Sequence, residues 1–156
     1  MLTPEPAVSG VEGRHWLLDL ADCQCARALL ADRETLEAAC VAACHAAGLR
    51  VVGQQFHQFT PAGVTGVVLL AESHLAVHTW PEQRFAAVDV YVCNHSVDNS
   101  TKGADLARAM TLLFVAAQTG GRCEIRRGSV GGGESAAASL VGGPCSERGG
   151  GPSSAI

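Results

Sequence analysis

Glu72, Ser73, His74, His78, Trp80 and Cys93 lie close together along the chain, beside apolar runs that have the makings of rigid strands. Three chemistries are open to a serine in such company. Ser73 can be a turn residue with Glu72 exposed beside it. It can be the nucleophile of a Ser/His hydrolase, with His74 or His78 as base and Asp89 as orienting acid. That reading is opposed by the lack of a Gly-x-Ser-x-Gly motif and of a strand-to-helix elbow after Ser73. Or it can attack the carbonyl of the residue before it and turn the amide into an ester. Elimination then leaves dehydroalanine, which hydrolyses to a pyruvoyl group and ammonia. The last route needs an oxyanion donor, a base for the α-proton and a rigid frame that strains the bond. Thr65, His78 and the flanking strands could supply these.

The elements that must position these groups can be read from pattern. His15 to Leu20 reads as a strand. Asp32 to Gly48 reads as a helix, capped by Asp32, acidic at Glu34 and Glu37, and ended by Gly48. Leu49 to Phe59 reads as a strand, 60–63 as a turn, Val64 to Leu70 as an apolar strand, and Leu75 to Thr79 as a short strand stopped by Pro81. Ala86 to Cys93 alternates, with Val88, Val90 and Val92 on one face and Asp89, Tyr91 and Cys93 on the other. Asn99 to Gln118 reads as a second helix with Leu106, Met110, Leu113 and Phe114 on its stripe, and Arg122 to Arg126 as a last strand. Hairpin-length links between the middle strands predict an α+β two-layer sandwich, an antiparallel sheet with helices on one face.

Composition bounds the function. The chain has 156 residues, 47% hydrophobic and 17% charged, with a formal net charge of −4. One domain with a true core is expected, and nucleic acid and acidic membrane surfaces are disfavoured as partners. No apolar run reaches the roughly 18 residues of a membrane span, and the N-terminal residues lack the pattern of a signal peptide, so a cytoplasmic location is expected. The seven cysteines are an odd number, which argues against a disulfide framework. Cys40 and Cys44 fall on the buried stripe of the first helix, so they read as small core hydrophobes rather than metal ligands, and no metal is expected. Residues 1–12 read as a loose segment, 13–127 as the domain, and 128–156 as a disordered tail holding nine of the 18 glycines. Gly131-Gly132-Gly133 lacks the Lys-Ser/Thr of a phosphate loop.

Six segments together carry a resemblance: Gly13-Arg14-His15, Phe56-His57-x-Phe59, Gly63-Val-Thr65-Gly-Val-Val, Ala71-Glu-Ser-His74, His78-Thr-Trp-Pro-Glu82 and Ala87-Val-Asp89-Val-Tyr-Val-Cys93. In order and spacing they resemble the prokaryotic S-adenosylmethionine decarboxylase proenzymes, over about residues 13 to 127. The resemblance implies cleavage between Glu72 and Ser73 into a β chain (1–72) and an α chain (73–156) that begins with a covalent pyruvoyl group made from Ser73, which forms a Schiff base with substrate. It implies that Thr65 is the processing hydroxyl, His78 the processing base and Cys93 the general acid of decarboxylation. Phe59 and Trp80 match aromatic substrate positions and Glu82 the ribose-binding carboxylate. It further implies S-adenosylmethionine as substrate, a role in spermidine synthesis, and a homodimer of αβ protomers with active sites near the interface.

His57 and His74 have less defined roles, with structural hydrogen bonding expected for each. One departure is visible: the family usually carries a hydroxyl residue three positions after the serine, where this chain has Ala76. Homologues in the family decarboxylate arginine or ornithine through the same machinery, so a basic amino acid is the alternative substrate. A processing-dead binding or regulatory partner is a second alternative, opposed by the presence of Thr65, Ser73, His78 and Cys93.

Overall fold

In the computed structural model, residues 12–128 and the pair Ser139–Leu140 are described. The expected loose N-terminal segment and C-terminal tail lie almost wholly outside them. Element order is β1 (Gly13–Cys23), α1 (Arg27–Ala31), α2 (Arg33–Ala46), β2 (Val51–Gln58), β3 (Val64–Leu70), β4 (Ser73–Trp80), β5 (Phe85–Cys93), α3 (Ser100–Leu113), β6 (Ala116–Arg127) and β7 (Ser139–Leu140). The strands form one antiparallel sheet in the order β2-β3-β4-β5-β1-β6-β7.

The helices pack on one face of the sheet, as the pattern predicts. Trp16, Leu18 and Leu20 of β1, Val88, Val90 and Val92 of β5, and Leu75 and Val77 of β4 are buried there. They meet Leu36, Cys40 and Cys44 of α2 and Leu106 and Met110 of α3, with Phe114 just beyond it. Cys40 and Cys44 have no exposed surface, so both act as apolar packing groups. Thr79 is buried and ties the layers together: its hydroxyl donates to the Leu30 carbonyl at 2.7 Å and accepts from the Val64 N–H at 2.9 Å. Asp32 caps α2 by accepting from Thr35 N at 2.8 Å, as expected.

Two boundaries differ most from the sequence expectation, the others shifting by three residues or fewer. The second long helix ends at Leu113 rather than Gln118, because Val115 turns to φ +47° and Ala116 and Gln118 pair with Cys23 and Ala21 of β1. The final long strand therefore starts six residues earlier than Arg122. The short helix α1 was not anticipated from the pattern; five residues carry too little periodicity to register.

Close packing between α3 and the sheet rests on Gly103. A Cβ there would stand 2.3 Å from Cζ3 of Trp16 and 2.8 Å from a methyl of Val92. Alanine normally favours a helix over glycine by about 1 kcal/mol, while overpacking a core costs about 1–3 kcal/mol. Overpacking wins here because the obstructing atoms belong to a buried indole. Gly103→Ala is expected to lower stability by about 1–2 kcal/mol in denaturant titration; a stabilised variant would contradict this packing.

Among the described residues, the other face of the sheet carries no helix. Thr65, Val67 and Leu69 of β3, His74, Ala76, His78 and Trp80 of β4, Ala87, Asp89, Tyr91 and Cys93 of β5, and His15, Leu17 and Asp19 of β1 share it in register.

Candidate active site

The Glu72–Ser73 bond lies where the β3–β4 turn enters β4. Ser73 is the first residue of β4 and pairs with Leu70. Its hydroxyl oxygen accepts the backbone N–H of Cys93 at 3.1 Å. A donor on that oxygen favours the alkoxide, the form that attacks a carbonyl. Cys93 ends β5 and is only 5% exposed. Its carbonyl accepts Nδ2 of the buried Asn99 at 3.0 Å. Glu72 is gripped from the far side by the hydroxyl and the N–H of Ser96. The Ser96 hydroxyl bond, ahead of all other influences, holds the Glu72 carboxyl below the usual carboxylate range.

A second cluster occupies the opposite end of the same strands. Thr65 and His78 are register partners, and Thr65 Oγ1 lies 2.6 Å from His78 Nδ1. They open into a cleft of about 480 Å³ that Phe59, Trp80 and Glu82 also line. Its volume falls within the range for small-molecule sites. Phe59 and Trp80 are 47% and 38% exposed, more than core aromatics would be, which leaves their ring faces open to a ligand. The frame beneath them is built locally. Gly63 takes φ +101°, a conformation suited to glycine, and its carbonyl accepts the Phe59 N–H at 2.8 Å. The Trp80 ring rests against Phe85, with centroids 5.5 Å apart.

The sequence-derived residues thus form two groups rather than one. Glu72, Ser73 and Cys93 meet at the first end of β4; Thr65, His78, Phe59, Trp80 and Glu82 meet at the second. Five residues of strand separate Ser73 from His78, about 16 Å at the usual rise. An odd spacing also gives the two side chains opposite faces. That spacing was visible in the sequence and is the signal that could have separated them.

Across the strands, one residue in from the Ser73 end, runs a row of rings that sequence reasoning did not single out as a unit. Tyr91 packs on His15 and His74, with centroids 5.8 and 5.5 Å away. The Arg127 guanidinium sits 5.6 Å from the centre of the Tyr91 ring. Gly13, the register partner of Cys93, makes room for that ring: a Cβ there would lie 2.8 Å from its hydroxyl. Burial, and then the neighbouring Cys93, push the Tyr91 phenol above its ordinary range. Burial pulls His15 below its own, and His15 Nε2 is buried with no hydrogen-bond partner among the described residues. His57 packs edge-on against Phe59, so the contacts of both His57 and His74 are ring to ring. Ala76 lies mid-strand between the clusters, opposite Asp89 and Val67. Among the described residues, no three His, Cys, Asp or Glu side chains gather as a metal site, and no helix is long and apolar enough to cross a membrane.

Comparison with known proteins matches this arrangement to one family. Residues 14–118 fit the family model described as S-adenosylmethionine decarboxylase. A relative named S-adenosylmethionine decarboxylase proenzyme from Symbiobacterium thermophilum is 40% identical over 121 residues, 75% of this chain and 83% of its own. One of the same name from Caldicellulosiruptor saccharolyticus is 45% identical over 86 residues, 55% of this chain and 68% of its own. The crystal structure of the adenosylmethionine decarboxylase from Aquifex aeolicus superposes with a TM-score of 0.68 at 28% identity, covering 81% of this chain and 98% of that one. Matched over two thirds of its length and sharing the α+β sheet, the chain belongs to the S-adenosylmethionine decarboxylase family.

Proposed function

We propose that the protein is a self-processing, pyruvoyl-dependent decarboxylase that converts S-adenosylmethionine to its decarboxylated form and CO2 for spermidine synthesis. The observation that carries this reading is the Ser73 hydroxyl, placed at the start of a strand and held by the N–H of Cys93. In the self-cleavage, the Ser73 oxygen attacks the Glu72 carbonyl carbon and the amide nitrogen leaves as an amine, giving an ester. Removal of the Ser73 α-proton then breaks the Cβ–Oγ bond and expels the main-chain carboxylate of Glu72, the new C-terminus of the first fragment. The dehydroalanine that remains tautomerises and hydrolyses with loss of ammonia. The pyruvoyl group so formed supplies a carbonyl that condenses with the substrate amine and takes up the electron pair left by CO2. Cys93, buried beside Ser73, would return a proton to the reacting carbon.

The geometry favours active sites shared between two copies of the chain. His78 cannot serve as base for Ser73 of its own chain across about 16 Å of strand. The helix-free face holds the Thr65–His78 pair towards one end and Cys93 towards the other, with Ala76 between them. A two-fold axis through the centre of this face would lay one copy's Thr65–His78 pair over its partner's Cys93, at the end where the backbone of Ser73 starts β4. A self-complementary contact of that kind closes as a dimer. Leu69, 49% exposed on this face, would be covered by it. The Phe59, Trp80 and Glu82 cleft would then stand beside the partner's cleavage site. There the two rings could face the sulfonium and adenine of the substrate, and Glu82 could accept its ribose hydroxyls. Ala76 would fall near the axis, so the family's usual hydroxyl is missing from the interface rather than from the cleft. The six described free cysteines fit a reducing, cytoplasmic setting.

The deciding assay is CO2 release from S-adenosylmethionine, arginine and ornithine in parallel. Turnover is expected with S-adenosylmethionine. A strong signal with a basic amino acid alone would replace the substrate while leaving the processing chemistry intact.

A further inference from the structure

We propose that Ser96 is a positioning residue for self-cleavage, clamping Glu72 so that the scissile carbonyl faces the Ser73 hydroxyl. The inference rests on the cleavage between Glu72 and Ser73 proposed above.

The hydroxyl and the backbone N–H of Ser96 both donate to the Glu72 carboxylate, the latter at 3.4 Å. Glu72 needs such an anchor. It sits in the two-residue turn between β3 and β4, outside the strand ladder, with its carboxylate in solvent. Ala71 before it is tied to the Arg50 carbonyl at 3.0 Å, and Ser73 after it is tied to Cys93. Without Ser96, the side chain of the residue that carries the reacting carbonyl would hang free between two fixed neighbours. Attack within a five-membered ring tolerates little misalignment, since an error of about 1 Å can cost up to about 100-fold in rate.

The clamp is built on a stiff support. Ser96 lies in the loop from β5 to α3, which starts at Cys93. Asn94 Oδ1 accepts Asn99 N at 2.9 Å, Asn94 Nδ2 donates to Ser100 Oγ at 2.9 Å, and Asn99 Nδ2 returns to the Cys93 carbonyl. One hydrogen-bonded loop therefore grips both partners of the reaction: Ser73 through the N–H of Cys93, and Glu72 through Ser96. The lowered pKa of Glu72, caused first by the Ser96 hydroxyl, agrees with a carboxylate that is held in place.

The test follows freshly synthesised precursor by denaturing mass spectrometry as the 156-residue chain becomes its two fragments. Ser96→Ala is expected to slow this roughly tenfold, and Ser96→Thr, which keeps both donors, to restore it. Glu72→Ala should slow it similarly, and the double variant should be no slower than the slower single, because the two residues act as one unit. Once fully processed, Ser96→Ala should decarboxylate at the wild-type kcat. Ser96→Ala precursor cleaving at the wild-type rate would overturn the proposal, and so would a double variant slowed by the product of the two single effects. If wild-type chain is not cut at this bond, the self-processing reading itself fails. If it is cut and Ser96→Ala is cut equally fast, only the role of Ser96 falls.

Discussion

Ser73→Ala is expected to remain one uncut chain and to release no CO2 from S-adenosylmethionine. Alanine keeps the strand register with Leu70 and fills slightly less space, so the sheet should survive the change. Only the oxygen that accepts the Cys93 N–H is lost, and with it both the nucleophile and the source of the carbonyl. His78→Ala is also expected to stay uncut when expressed alone, because in the proposed mechanism the base comes from the Thr65–His78 pair. The two defects should complement each other when the variants are produced together. In a mixed pair, the His78→Ala copy keeps Ser73 and borrows His78 from the Ser73→Ala copy. Denaturing mass spectrometry should then find fragments derived from the His78→Ala chain alone. Fragments from Ser73→Ala would displace the assigned bond. No fragments at all in demonstrated mixed dimers would refute the shared site.

Cys93→Ala is expected to give the opposite phenotype, normal cutting with poor turnover. The bond that steadies Ser73 comes from the backbone N–H of residue 93, which any side chain except proline's leaves in place. The thiol is free for a different task, and loss of a positioned acid costs about 100-fold or more in rate. The measurement is CO2 release per pyruvoyl-bearing chain, with fragment masses taken from the same sample. Turnover equal to wild type would remove the thiol from the mechanism, and an uncut precursor would tie it to processing.

The alternation of β5 was plain in the sequence because valines occupy every buried position from Val88 to Val92, and the structure keeps that phase. The caps of α2 were equally plain, since Asp32 and Gly48 act through local geometry. The end of α3 was hidden. Val115 is β-branched and adopts φ +47°, a conformation its type disfavours, while Ala116, Ala117 and Gln118 would extend a helix willingly. Pairing with β1 overrides that propensity, and no local signal encodes a partner some hundred residues away. For the site, residue types were legible from the motifs, but their grouping was not. Ser73 and His78 look adjacent in a sequence and stand far apart once their segment is extended. Ser96 escaped notice because an exposed loop serine looks like any other; only its position three residues beyond Cys93 brings it to Glu72.

The order of the strands has a consequence for what happens after the cut. Reading across the sheet, β2 and β3 belong to the segment before Ser73, β4 and β5 to the segment after it, β1 again to the first and β6 to the second. Three ladders, β3 with β4, β5 with β1, and β1 with β6, would therefore join two separate polypeptides. The fragments interleave like the fingers of two hands and cannot part without dismantling the sheet. Before the cut, folding is a unimolecular event, indifferent to dilution. Afterwards the same architecture would be an obligate heteromer, whose recovery from unfolding would depend on concentration. A precursor cut at the proposed bond would in this sense be an intramolecular chaperone for its own product: covalent continuity would weave the sheet once and then be given up.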